Sequence, residues 1–128
     1  MPSRTLGLLA ALALICGAGL HAQVPTYPPF RDYSMARDAE LALVRTAAPS
    51  SIVDRATVKV LTQNGYQVAR EGDNGFTCLV MRGWSAPTYT PNQFRDFSYD
   101  ATIRAPICFD PIAARTVLPY YELRSTLG

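Results

Sequence analysis

The apolar positions change character along the chain: an uncharged run from Leu6 to Ile15, helical spacing around residue 40, strand-like runs between 57 and 82, and a helical pattern after 110. From Met35 to Ala47 the residues are mostly Ala, Leu, Val, Arg and Glu, nearly all good helix formers, with Ser34 in the N-cap position and Pro49 just past the end. The spacing predicts a helix over 35–47 whose core face carries Met35, Ala39, Ala42, Leu43 and Ala47. Thr57 to Thr62 alternates β-branched residues with Lys59 and predicts a strand, with a helical turn before it around Ser51 and Asp54. Asn64-Gly65 and Asn74-Gly75 then bracket a second strand, Tyr66 to Arg70, and lead into a third, Phe76 to Arg82. Asn-Gly pairs suit tight hairpins because both central residues of a type I′ turn need positive φ, so the expected connection is a meander.

The strands differ in how many faces they can bury. Val58, Val60, Tyr66 and Val68 make one apolar face on the first two, whereas the third carries Phe76, Cys78 and Val80 on one side and Leu79 and Met81 on the other. A strand apolar on both faces belongs in the sheet interior, so a fourth strand should pair beyond it, and Ala101 to Arg104 is the candidate. Asp110 followed by Pro111 then predicts a helix start, since proline suits the first helical position and aspartate caps it. Pro119 is expected to kink or stop that helix before Tyr120 and Tyr121. The predicted fold is α+β: an antiparallel three- to four-stranded meander flanked by an N-terminal and a C-terminal helix, with one disulfide.

Arg4 and the terminal amine precede the first apolar run, and Gly17 and Gly19 break it before Ala22, which is a signal-peptide layout. The run is shorter than the roughly 20 residues that span a bilayer. Residues 1–22 are therefore read as a cleaved leader, 23–33 as an extended lead-in containing Pro25, Pro28 and Pro29, and 34–128 as a single domain. The protein is expected to be exported to the periplasm or the exterior, with no membrane association after cleavage. Cys16 leaves with the leader; Leu14 and Ile15 before it do not fit lipoprotein processing.

Composition narrows the chemistry. Hydrophobic residues at 48% support a folded core rather than disorder. The formal charge is +2, Arg4 departs with the leader, and Lys59 is the one lysine, which lacks the basic footprint of a nucleic-acid binder. The single histidine, His21, also lies in the leader, so the mature chain is left without the imidazole needed for a Ser-His or Cys-His nucleophile or a His-bound metal. No catalytic residue, metal site or cofactor is assigned. Cys78 and Cys108 remain as an even pair in a chain bound for an oxidising compartment, and a bond between them is expected. It is expected to tie the third strand to the start of the final helix. Closing a loop of that length corresponds to about 3–4 kcal/mol in the chain-entropy account.

Trp84, Tyr89, Phe94, Phe97 and Tyr99 crowd into a short segment with Pro87 and Pro91. Two roles compete for it: a loop folded over the sheet to complete the core, or an aromatic contact surface for a protein or an envelope component, since rigid rings give large contact area at low entropic cost. These five residues are the candidate contact surface. The carboxylate pairs Glu71 with Asp73 and Asp96 with Asp100 are the catalytic alternative, but proximity is their one qualification and solvated loop charge is the better reading.

The run Gly65-Tyr66-Gln67-Val68-Ala69-Arg70-Glu71-Gly72-Asp73-Asn74-Gly75-Phe76-Thr77-Cys78-Leu79-Val80, continued by Pro106-Ile107-Cys108-Phe109-Asp110 and Ala114-Arg115-Thr116-Val117-Leu118-Pro119, resembles a family of uncharacterised secreted bacterial proteins over about Met35 to Arg124. The resemblance implies a leader, a Gly-Tyr hairpin with a cysteine in the third strand, and a second cysteine shortly before a helix. It implies no activity and supplies no catalytic residue. Relatives of this kind run beyond residue 128, so the chain corresponds to an amino-terminal portion or a shortened member. The expected function is a small non-enzymatic binding or structural module; the alternative is an enzyme, or part of one, using the carboxylates here or residues on an extension or partner.

Overall fold

A computed structural model of the protein describes residues 28–85 and 98–126. Three short helices come first, α1 (Phe30–Tyr33), α2 (Arg37–Val44) and α3 (Ser50–Val53), followed by strands β1 (Thr57–Thr62), β2 (Gly65–Arg70), β3 (Thr77–Ser85) and β4 (Ser98–Phe109), then α4 (Pro111–Thr116) and α5 (Leu118–Thr126). The class is α+β, with helices before and after one four-stranded sheet and a Cys78–Cys108 disulfide.

The N-terminal helix differs in its ends and its face from the sequence expectation. The lead-in closes into the α1 turn after Pro29, and Ser34 ends that turn instead of starting α2, its N–H reaching Phe30 O and its hydroxyl donating to Arg31 O. Ala36 occupies the N-cap of α2. The helix then buries Glu40 and Val44, four residues apart, while Ala39 and Ala42 are exposed and Met35, Leu43 and Ala47 are half-buried. A glutamate turns inward because the strand beneath it presents an arginine, as described below.

The sheet order is β2-β1-β3-β4. β1 and β2 form an antiparallel hairpin, closed through Thr62 and Gly65, and Gly65 carries the positive φ of +88° that the tight turn requires. β3 does not return beside β2. It crosses to the far side of β1 and pairs with it in parallel, Thr57 with Thr77 and Val58 with Cys78. The Asn74-Gly75 segment is therefore a crossover and not a hairpin turn. Its hydrogen bonds explain why: Asp73 N donates to Arg55 O, Asn74 Nδ2 to Ile52 O, and Thr57 N to Phe76 O, so the loop is bound to the entrance of β1. Gly72 makes this approach possible, because a Cβ there would lie 2.2 Å from the Ala56 carbonyl carbon. β4 pairs antiparallel with β3 from Phe109 to Ser98, placing β3 inside the sheet as its two apolar faces require.

Each face of the sheet has its own core. Val44, Val53, Ala56, Val58, Cys78 and Val80 pack under α2 and α3; Tyr33, Leu61, Tyr66, Leu79, Phe109 and Leu118 pack on the other side with Tyr121. The expected common face of Val58, Val60, Tyr66 and Val68 is split: the register sets Tyr66 opposite Leu61 and Val68 opposite Lys59, so Tyr66 joins the core across the sheet from Val58, and Val68 stays 46% exposed on the outer strand. At the C-terminal end Asp110 caps α4, accepting from Ile112 N and Ala113 N, with Pro111 in the first turn as expected. The break falls at Val117 and Pro119 does not stop the chain: it sits in the first turn of α5, where a missing N–H costs nothing, and Tyr120 and Tyr121 are helical.

Candidate functional site

Of the five aromatics expected to form a contact surface, Tyr89, Phe94 and Phe97 lie outside the described residues. Trp84 and Tyr99 are register partners near the open end of the β3–β4 ladder, one step before Ser85 and Ser98. The ladder shifts register between Arg82 and Trp84, and Gly83 fits there because a Cβ would lie 1.8 Å from Asp100 O. The structure thus brings Trp84 and Tyr99 opposite each other at the backbone level, beyond the part of β3 that pairs with β1.

At the other end of the same ladder, Cys78 and Cys108 are directly opposed and bonded, with Cα atoms 4.0 Å apart. The separation lies just under the 4.4 Å lower end of the range usual for disulfides. The bond locks strand to strand rather than strand to helix, because β4 continues through Cys108 to Phe109 before the Asp110 cap. Cys78 is fully buried.

The carboxylates singled out as catalytic alternatives have structural partners. Asp73 accepts from Arg55 Nε at 2.9 Å, an exposed pair that holds the carboxyl below its ordinary pKa. Asp100 accepts from Thr102 Oγ1 and Thr102 N, which also lowers its pKa. Both shifts favour the ionised form, the reverse of what a general acid near neutral pH needs. Glu71 is exposed beside Asp73, and Asp96 lies outside the described residues. Among the described residues there is no group of three His, Cys, Asp or Glu side chains placed to hold a metal ion, and no helix is long and apolar enough to cross a membrane.

The most constrained polar chemistry is internal and was missed from sequence. The side chains of Glu40 and Arg82 are 1% and 2% exposed, and Arg82 Nη2 lies 2.9 Å from Glu40 Oε2, an ion pair without a directed hydrogen bond. Glu40 Oε1 accepts from Leu61 N at 3.1 Å, while Arg82 Nε donates to Tyr33 O and Nη1 to Val80 O, each at 2.7 Å. Tyr66 donates its hydroxyl to the same Val80 O at 2.6 Å, and burial pushes its phenol pKa up, with Arg82 opposing the shift. The signal available in the sequence was Arg82 ending an otherwise apolar two-faced strand, since a buried arginine needs a carboxylate.

Two surface features complete the picture. A groove of about 280 Å³ runs beside α2, lined by Leu41, Val44, Arg45, Val53, Val58, Ala69 and Arg70. Ile112, Val117, Tyr120 and Leu123 are exposed apolar side chains on α4, α5 and the residue between them. Against known proteins, no family model, no curated protein and no solved structure matches the chain.

Proposed function

We propose that this protein is an exported, non-enzymatic binding or structural module of the bacterial envelope or exterior, and that the open end of the β3–β4 hairpin is its contact surface. The observation that supports this reading is the ladder itself: it is locked by Cys78–Cys108 at one end and continues to the Trp84–Tyr99 pair at the other. A disulfide seated in the core fits an oxidising compartment. A hairpin fastened at its base can present aromatic residues at low entropic cost to a partner protein or envelope component.

The test uses the oxidised protein recovered from a bacterial host. Export predicts a new N-terminus near residue 23 on material from outside the cytoplasm. Trp84→Ala and Tyr99→Ala should abolish retention on isolated envelope fractions while leaving the melting temperature nearly unchanged. A large fall in melting temperature, with tryptophan emission that is blue-shifted and protected from quenchers in the parent protein, would assign these rings to the core and end the contact-surface reading.

A further inference from the structure

α2 packs over β1, β3 and β4, and the outer strand β2 lies beside its flank, where Ala69 and Arg70 form one wall of the groove. Val44, Val53 and Val58, all core residues, form an apolar floor, and Leu41 and Ala69 extend it toward the opening. Two cations border this apolar space. Arg70 is held in place by Nη2, which donates to Val53 O and Ala56 O, while its Nε is shut from water without an acceptor. Arg45 stands at the C-terminal end of α2.

Arg55, Lys59 and Arg82 each meet a carboxylate, whereas among the described residues Arg45 and Arg70 meet none. Of the acidic residues near them in sequence, Glu40 is committed to Arg82 and to Leu61 N, while Asp54, Glu71 and Asp73 line a different notch with Arg55 and Gly72. At the end of α2, Leu43 O accepts from Thr46 N and Oγ1 and Val44 O accepts from Ala47 N, which satisfies two of its last four carbonyls. The groove therefore combines an apolar floor with uncompensated positive charge at its border.

We propose that this groove binds a small carboxylate with an apolar body, its carboxylate paired with Arg45 and Arg70 and its body lying against Leu41, Val44, Val58 and Ala69. The charge pattern selects an anion, and the floor selects one that carries carbon. A volume near the lower end of small-molecule sites, roughly 300 Å³ and upward, fits a short-chain or single-ring acid rather than a long-chain lipid. The site is separate from the hairpin end and does not depend on the function proposed above.

The experiment is a titration of the ¹⁵N-labelled, oxidised protein with hexanoate and with phenylacetate, using hexanamide and phenylacetamide as neutral controls and acetate as the anion without a body. Saturable shifts are expected at the amides of Leu41, Val44, Ala69 and Arg70. Binding of the amides, and of hexanoate to Arg45→Gln, should be weaker by about tenfold or more, the factor that one charge-assisted hydrogen bond represents. Arg45 is exposed, so its variant keeps the test valid if Arg70→Gln, which removes the tie to α3, fails to fold. Trp84→Ala should leave hexanoate binding unchanged. Absence of saturable shifts in this groove, equal binding of acid and amide, equal binding of acetate and hexanoate, or insensitivity to Arg45→Gln would each overturn the proposal.

Discussion

Removing the charge of Glu40 is the sharpest test of how this small domain is held together. Glu40→Gln keeps the volume and can still accept from Leu61 N, so its cost isolates the electrostatic part. Arg82, its side chain 2% exposed, would be left as a buried cation with the carbonyls of Tyr33 and Val80 as its acceptors. Breaking a buried pair typically costs about 3–5 kcal/mol, and the two retained carbonyls place the expected value near ~3 kcal/mol. In a domain of this size that corresponds to a fall in melting temperature on the order of 15 °C. Glu40→Ala should cost more, because it also opens a cavity and strands the Leu61 amide, a further ~1–3 kcal/mol.

Urea denaturation of the oxidised protein, monitored by far-UV circular dichroism, gives these differences, and Arg55→Gln, which breaks an exposed pair, serves as the surface control with a far smaller midpoint shift than Glu40→Gln. The cycle is completed with Glu40→Leu, Arg82→Met and the double variant. Removing both charges abolishes the unpaired-ion penalty that each single change creates, so the double variant should be more stable than the sum of the singles by at least ~2 kcal/mol. Additive costs, or a Glu40→Gln penalty under ~1 kcal/mol, would show that water reaches the pair and that the reasoning from burial is wrong.

Four further outcomes follow from the same geometry. Tyr66→Phe should cost only about 1 kcal/mol at neutral pH, because Val80 O keeps its bond from Arg82, but it should flatten the alkaline limb of the stability curve. The folded-state phenol titrates above its ordinary value near 10, so the parent's stability from this group is complete below that pH and is lost as pH rises past it; an unchanged alkaline limb in Tyr66→Phe would contradict this. The Asp73 carboxyl, followed by NMR, should titrate below the ordinary range and return to it in Arg55→Gln, its contribution being present above the unfolded pKa and lost as pH falls through the folded one. Asp110→Ala should cost about 1 kcal/mol in thermal unfolding through loss of two capped amides, with Asp110→Asn recovering most of it. Replacing Cys78 and Cys108 together by alanine should cost about 3–4 kcal/mol in urea denaturation, and two alkylatable thiols in undenatured exported protein would remove the premise.

Local chemistry was readable where a local rule decides the outcome. β1 runs from Thr57 to Thr62 as its alternation predicts, Asp110-Pro111 starts a helix, β3 is interior, and Cys78 meets Cys108. The misreadings share a different cause, a distant partner. Asn74-Gly75 has hairpin chemistry, yet the Asn74 amide is committed to Ile52 O, twenty-two residues away in sequence, and the strand order changes with it. Glu40 has the composition of a solvated helix face and becomes core because Arg82 waits beneath it. Ala39 and Ala42 are helix formers first, and their small size made them compatible with either face. Within the groove, Arg70 alternates out of an ordinary edge strand, and nothing in its neighbours shows that its guanidinium reaches back to the carbonyls of Val53 and Ala56.

These ties converge on one strand. Cys78 joins β3 to β4, Val80 O receives both Tyr66 of β2 and Arg82, and Arg82 reaches Glu40 of α2 and Tyr33 of α1. From Thr77 to Arg82 the strand is thus fastened to elements on both sides of it in sequence. Beyond Gly83 the register shifts, and the ladder continues as Trp84–Tyr99 and Ser85–Ser98. A segment held by a two-strand ladder opens at lower free energy than one tied to four other elements. On the contact-surface reading, substitutions at this end should therefore leave the melting temperature nearly unchanged, whereas loss of the ion pair or the disulfide lowers it.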